Sequence, residues 1–223
     1  MIHIHTLLIG LPQTITDANG TWRSAIFRQP INGPIELGPR GLAGDQVADT
    51  EHHGAPGQAV CCHPLEHYDY WNRVYSLTTP DRVLRAGSVG ENWTLSNLAE
   101  SAVCVGDIVR VGSAIVQVSG PRYPCAKQER KLGLPGFLKA TVDTLRTGFY
   151  LRVLKVGVVQ AGDQWMLEER MHPDLTIEAI NRCAHHRPDR DLVARMLVAE
   201  ELGEAWKHIL TRRLKQHDAD TGA

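Results

Sequence analysis

Long apolar runs are missing from this 223-residue chain. No segment approaches eighteen consecutive apolar residues, so no transmembrane helix is expected. Charge of one sign is missing too. The formal net charge is −1, which gives no global field to draw the chain to nucleic acid or a membrane surface. Framework-spaced cysteines are absent: the five present are odd in number, and no C-x-x-C pair completes a structural zinc site. Met1 to Gly10 has neither a basic n-region nor a small-residue cleavage site and reads as a first strand, not a signal peptide. A reduced, cytoplasmic protein is the expectation. The phosphate-binding G-x-x-x-x-G-K-[ST] loop, the H-E-x-x-H helix and the G-x-S-x-G elbow are all lacking. No internal repeat or low-complexity tract is present.

What is there suits one large domain, or one domain with a small appendage. The apolar fraction of 43% is ordinary, and a chain this long buries roughly 70% of its unfolded surface without help from disulfides or metal. The first two thirds read as short strands broken by glycine and proline. Ala25-Ile26-Phe27 begins one, Gly38 to Asp45 forms a turn-rich loop, and Gln58 to Cys62 reads as a buried strand. Pro64 to Val74 reads as a helix, with Pro64 in its first turn and Leu65, Tyr68 and Trp71 on its inner face. Strands resume at Val103 to Val111, and Gly112-Ser113 turns the chain into Ala114–Ser119 as a hairpin. A second hairpin is expected from Tyr150 to Val159 and Gln164 to Glu168, joined across Ala161-Gly162-Asp163. Many short strands with glycine turns predict a barrel or sandwich.

The pattern changes near Arg170. Thr176 is placed to cap a helix reaching about Cys183, with Glu178 in its first turn. Asp189 or Asp191 opens a second, with Leu192, Val193, Met196 and Leu197 as its apolar face. A third runs from about Gly203 to Gln216, with Trp206, Ile209, Leu210 and Leu214 at helical spacing. The expected organisation is mainly β with α: a β-barrel-like body over residues 1–169 and a three-helix unit over residues 170–223. Arg212-Arg213-Leu214-Lys215 reads as a solvated face that complements the helix dipole.

The segment Pro121-Arg122-Tyr123-Pro124-Cys125-Ala126-Lys127 carries the strongest chemical signal. Prolines stiffen it, and it follows a strand directly, where functional groups tend to be mounted. A thiol with an ordinary pKa of about 8.5 is favoured as thiolate by neighbouring cations, here Arg122 and Lys127. The plain alternative is a cysteine packed beside a turn. Gly41-Leu42-Ala43-Gly44-Asp45 and His52-His53-Gly54-Ala55 form a second cluster. Its glycines let backbone N–H groups approach an anion, and Asp45 and His53 could hold a polar ligand; a glycine-rich connection is the alternative. Gly90-Glu91-Asn92 is a loop cap or a ligand-recognition pair. His63 and His67, four apart beside Cys61 and Cys62, could share a zinc if helical, but the two cysteines would point apart in a strand.

Taken in order, these stretches resemble the MOSC-domain family (molybdenum cofactor sulfurase C-terminal domain), in particular its bacterial YiiM-type branch. The residues that carry the resemblance are Ser24-Ala25-Ile26-Phe27-Arg28, Gly41 to Asp45, His53-Gly54, Glu66-His67-Tyr68, Gly90-Glu91-Asn92, Gly106-Asp107, Pro121 to Cys125, Arg152-Val153-Leu154 and Gly157. It spans about residues 20 to 215. The resemblance implies a β-barrel-like fold and a molybdenum–pterin cofactor with Cys125 as metal ligand and catalytic centre. Pyridoxal phosphate is not expected. Soft thiolate suits such a metal. Arg122, Lys127, Gly44, Asp45, His53, Gly54, Glu91 and Asn92 are the implied cofactor-binding residues. The implied activity is reduction of N-hydroxylated compounds (hydroxylaminopurines, amidoximes, hydroxamates) to amines or amides. No flavin, haem or iron–sulfur motif is present, so a separate electron-donating reductase is implied. No nucleic-acid or membrane partner is expected, and a homodimer is left open.

The chain departs from the family's pattern in places. The family's His-Gly-Gly turn stands as His53-Gly54-Ala55, which would be strained if Ala55 needed positive φ. A lysine near the family's start stands as Arg28. Gly133 to Thr147 is expected to shape the pocket mouth. Two other readings remain: a non-redox cofactor or sulfur carrier with a persulfide on Cys125, and a barrel-like binding module without chemistry.

Overall fold

The computed structural model describes residues 1–51 and 53–221. His52, grouped above with His53, lies outside the described residues. Apolar residues facing the core build the strands. β1 (His3–Ile9) buries Ile4, Leu7 and Leu8. A two-stranded hairpin of β2 (Gln13–Asp17) and β3 (Gly20–Ser24) follows, then β4 (Gln29–Ile31), β5 (Ile35–Gly38) and β6 (Gly41–Leu42). Next come β7 (Val60–Pro64), helix α1 (Glu66–Val74), β8 (Trp93–Ser96), β9 (Ile108–Val111) and β10 (Ala114–Pro121). Helices α2 (Ala126–Leu132) and α3 (Phe137–Asp143) precede β11 (Phe149–Lys155), β12 (Gly157–Val159) and β13 (Met166–Glu169). The chain finishes with α4 (Ile177–His185), α5 (Arg190–Val198) and α6 (Glu204–Thr221).

Eight strands form one curled sheet in the order β13-β9-β10-β11-β7-β8-β1-β4, and β12-β5-β6 form a second. Within the large sheet, β7–β8 is the parallel pair. The concave face buries Leu7, Trp93, Leu95, Val109, Val116, Phe149 and Leu151. The C-terminal helices close the same core with Leu175, Ile177, Ile180, Val193, Met196 and Leu210. Each such side chain contributes about 1.5–3 kcal/mol when fully buried. The fold is therefore mainly β with α, a half-barrel carrying a C-terminal helical unit. No helix among the described residues is long and apolar enough to cross a membrane.

The helical unit follows its local signals. Thr176 caps α4 by accepting a hydrogen bond from Ala179 N at 3.0 Å, and Asp189 caps α5 through Leu192 N at 2.9 Å. Arg213, in the basic run of α6, donates to the His186 carbonyl at 2.9 Å. The Gly112-Ser113 hairpin also forms.

Several strand readings are corrected. Ala25 to Phe27 is not a strand, because the chain turns at Ser24, whose Oγ accepts from Ile26 N at 3.2 Å. Within Gly38 to Asp45 a short ladder forms, Gly38 pairing with Gly41. Pro64 ends β7 instead of opening α1, although Tyr68 and Trp71 do form the buried face of α1. The strand expected from Val103 begins only at Ile108, since the Asp107 carboxylate accepts from Cys104 N at 2.9 Å and holds a turn.

The second hairpin does not form. β12 leaves the large sheet to pair with β5, and β13 pairs with β9. The intervening turn is tied to β1 instead, through Ile4 N to Asp163 O at 2.9 Å and Gly162 N to Ile4 O at 2.8 Å. Gly133 to Thr147 holds α3, whose Phe137 packs against Trp71 with ring centroids 5.0 Å apart. It braces α1 and contributes no residue to the lining of the two cavities at Cys125.

Candidate functional site

Cys125 stands at the junction of β10 and α2. Pro124 biases the loop away from helix, and Cys125 is extended (φ −126°, ψ 150°) as the N-cap of α2. Its N–H donates to Gln128 Oε1 at 3.2 Å and its carbonyl accepts from Gln128 N at 2.9 Å. The backbone beneath the thiol is thus fixed while the half-buried side chain remains accessible.

Arg122, three residues earlier, is 6% exposed. Its N–H donates to Gly148 O at 3.0 Å and its Nη2 to Val89 O at 2.8 Å. Its Nη1 is buried without a partner among the described residues. Burial opposes its charge, but Cys61, Tyr150, Cys125 and Glu91 outweigh that effect and raise its pKa above the usual arginine value. It is therefore a fixed buried cation with one donor unspent.

Two cavities meet at Cys125. The inner one is a slot of about 80 Å³ lined by Arg28, His53, Gly54, Gln58, Cys61, Asn92, Arg122, Lys127 and Tyr150, among others. The outer one is a cleft of about 910 Å³, walled by Ser119, Gly120, Pro121, Tyr123 and Arg152 on one side and by Leu202, Gly203, Trp206 and Ile209 on the other. Asp49, His53, Gln58, Cys125, Lys127 and Tyr150 line both. The slot is rich in cations, and Gln58 Oε1 is buried in it without a partner among the described residues. The helical unit supplies the far wall of the cleft. Trp206 is anchored there by its Nε1 donating to Pro121 O at 2.9 Å, with the Tyr123 ring 5.8 Å away.

Residues 49–165 match the MOSC domain family, and residues 175–217 match the YiiM-like 3-alpha helix domain. The chain belongs to the MOSC family. It is 34% identical over 191 residues to the protein YiiM of Escherichia coli, covering 85% of this chain and 84% of that one. The crystal structure of YiiM from Geobacillus stearothermophilus superposes with a TM-score of 0.79 at 34% identity, covering 96% of this chain and all (100%) of that one. A Gibberella moniliformis protein named reductase is 35% identical over 169 residues, which is 75% of this chain but only 30% of that protein.

Within this MOSC domain, six of the nine expected site residues line the slot: Cys125, Arg122, Lys127, His53, Gly54 and Asn92. Gly44, Asp45 and Glu91 lie outside its lining. The Asp45 carboxylate accepts from Gly10 N at 2.8 Å, Arg28 Nε at 2.9 Å, Arg28 Nη2 at 2.8 Å and Asn92 Nδ2 at 2.9 Å. Glu91 is fully buried, its Oε1 accepting from Tyr68 at 2.5 Å and from Gly87 N and Thr94 Oγ1 at 2.7 Å each. Both carboxylates build the wall behind the slot. Ala55 is extended (φ −60°, ψ 151°), and the positive φ of that turn falls on Gly54 (+85°), so the alanine is unstrained.

His63 and His67 do meet, their rings 5.1 Å apart, but from β7 and α1, and His67 Nε2 pairs with Glu100 Oε2 at 3.2 Å. Among the described residues no group of three potential ligands surrounds a metal position. Cys61 and Cys62 point apart as strand geometry requires, Cys61 to the slot and Cys62 to the core. Burial raises the Cys61 pKa against the opposing pull of Arg122 and Arg28.

Sequence reasoning passed over Tyr150, Gln58, Cys61 and Trp206 as site residues. One signal was available for Tyr150. In Phe149 to Val153 the residues Phe149, Leu151 and Val153 alternate with Tyr150 and Arg152, which marks a polar face on an otherwise apolar strand.

Proposed function

We propose that this MOSC protein is a cytoplasmic oxidoreductase that binds a molybdenum–pterin cofactor through Cys125 and reduces N-hydroxylated compounds with electrons from a separate reductase. The observation that carries this reading is the position of Cys125, between a cation-lined slot and an open, largely apolar cleft. The reductase name of the Gibberella relative and five unpaired cysteines support it.

The donor set fits the cofactor, whose bulk exceeds the slot of about 80 Å³ and would extend into the cleft. The unspent Arg122 Nη1 suits an anionic oxygen or sulfur, and the unspent Gln58 Oε1 suits an N–H donor. A phosphate-bearing, dithiolene-bearing pterin offers both, and Cys125 Sγ offers a soft ligand to molybdenum. When bound, the group supplies the two-electron chemistry that reduces an N–O bond to an amine or amide and water. Lys127, His53 and Gly54 would hold its anionic end. The outer cleft receives the substrate, with Tyr123 and Trp206 offering apolar surface and Arg152 a polar anchor.

The test is purification from a host that makes the cofactor, with metal measured by mass spectrometry beside the fluorescent pterin oxidation products. Near-stoichiometric molybdenum and pterin are expected, together with reduction of a hydroxylaminopurine, amidoxime or hydroxamate. Both the metal and the activity should be lost in Cys125→Ser. A serine variant with full activity rules the assignment out. A persulfide on Cys125 with no pterin would favour the sulfur-carrier role.

A further inference from the structure

The β10–β11 ladder slips in register between Val118 and Gly120. A slip of this kind leaves a residue unpaired and re-aims the side chains beside it. Beyond it, Gly120 on β10, Tyr150 on β11 and Cys61 on β7 stand opposite one another across three neighbouring strands. Residues directly opposite share a sheet face. Gly120 contributes no side chain to that row, and Trp206 and Leu202 of the cleft's far wall close over it. Cys61, at the other end, lines the slot. Tyr150 stands between them and lines both, as Cys125 does. Its hydroxyl makes no hydrogen bond to another described residue. The phenol is thus presented, unspent, where a molecule in the cleft would meet whatever Cys125 holds.

We propose, resting on the reductase reading above, that Tyr150 is the proton donor in N–O bond cleavage. The reaction R–NH–OH + two electrons + two protons gives R–NH2 + H2O. The electrons come from the separate reductase. The N–O bond breaks, the Tyr150 O–H passes one proton to the departing oxygen, and water entering through the cleft supplies the second and restores the phenol. A phenol, with an ordinary pKa of about 10, carries its proton throughout the physiological range. A positioned general acid contributes about 10²–10⁴-fold in rate.

The experiment compares wild type with Tyr150→Phe, both loaded with cofactor. The variant keeps the ring and removes only the hydroxyl. Unchanged molybdenum and pterin content is expected, with kcat lower by about 100-fold and KM within about threefold. A readout without turnover uses oxidised protein and tryptophan fluorescence to measure binding of an N-hydroxylated compound and of its amine product. Wild type should prefer the N-hydroxylated compound by about fivefold, the effect of one net hydrogen bond, and Tyr150→Phe should lose that preference. His53→Gln and Lys127→Met serve as comparators, since both residues line the same two cavities.

A Tyr150→Phe protein with undiminished kcat, or with the binding preference intact, overturns the assignment. So does loss of molybdenum in this variant, which would make Tyr150 a cofactor-holding residue, or loss of the preference in a comparator alone. If the wild type holds molybdenum yet reduces no N-hydroxylated compound, the reductase reading itself fails. An active wild type with an equally active Tyr150→Phe refutes only the role of Tyr150.

Discussion

Asp45 has side-chain exposure of 9%, and its partner Arg28 has 11%. The Arg28 guanidinium spends its other donor, Nη1, on the Gly90 carbonyl at 2.7 Å. Removing the carboxylate leaves this cation buried without a counter-charge, a loss of about 3–5 kcal/mol for pairs of this kind. Asp45→Ala should lower the urea midpoint accordingly, and Asp45→Asn, which keeps one acceptor oxygen, should lower it less. Because Arg28 and Asn92 line the slot, the proposed cofactor binding predicts that cofactor content falls with Asp45→Ala even in protein that folds. An Asp45→Ala protein within about 1 kcal/mol of wild type would show that the network is solvated. Cys125 was legible in the sequence because its signals are local: two prolines, two cations and a preceding strand. Asp45 and Glu91 were legible as notable polar residues, but not as wall. Their partners lie far off in the chain, with Asn92 47 residues from Asp45 and Tyr68 23 from Glu91.

The same division holds for elements. Helix starts at Thr176 and Asp189 and the Gly112-Ser113 turn rest on neighbours within a few residues, so sequence reasoning reached them. The partners of β12 and β13 are set by contacts of long range, and chain adjacency pointed to the wrong pairing. The seat of the helical unit on the sheet is another long-range feature, and Gly120 tests it. Its φ is +147°, and a Cβ there would stand 3.1 Å from Trp206 Cδ1 and 3.3 Å from Leu202 Cδ1. Gly120→Ala should displace Trp206 and cost about 1–3 kcal/mol by overpacking. The smaller ring of Trp206→Phe should recover part of that cost in the double variant, giving a favourable coupling in the cycle. Strictly additive effects would mean that backbone strain, and not contact with the helix, sets the cost.

At the scale of the molecule, one hydrophobic cluster runs from the curled sheet into the three C-terminal helices, so the sheet and those helices are expected to unfold in one transition. A buried histidine makes that transition sensitive to acid. His63 is 1% exposed, and both of its ring nitrogens are buried without partners among the described residues. Burial, reinforced by His67 and Arg122, holds its pKa well below the ordinary value. His185 is shifted in the same direction by burial, His186 and Arg213. Above an unfolded pKa of about 6.5 both states leave His63 neutral, and it contributes no pH dependence. Below that value the unfolded chain binds a proton that the native state refuses. Stability then falls by up to about 1.4 kcal/mol per pH unit for this one group, until the native pKa is reached. Carboxylates depressed in the fold act further down: Asp17, held at about 2 by its hydrogen bond to Arg130, loses its contribution only below about pH 4. Glu201, also depressed, starts to lose its contribution near the ordinary glutamate value, so the interval from pH 6.5 to about 5.5 isolates the histidines. Urea unfolding across that interval should show a falling midpoint in wild type and a shallower fall in His63→Gln, with His185 accounting for part of the remainder. Parallel slopes in the two proteins would mean that water or a rearranged partner reaches the His63 ring, and that the imidazole can take its proton without breaking the fold.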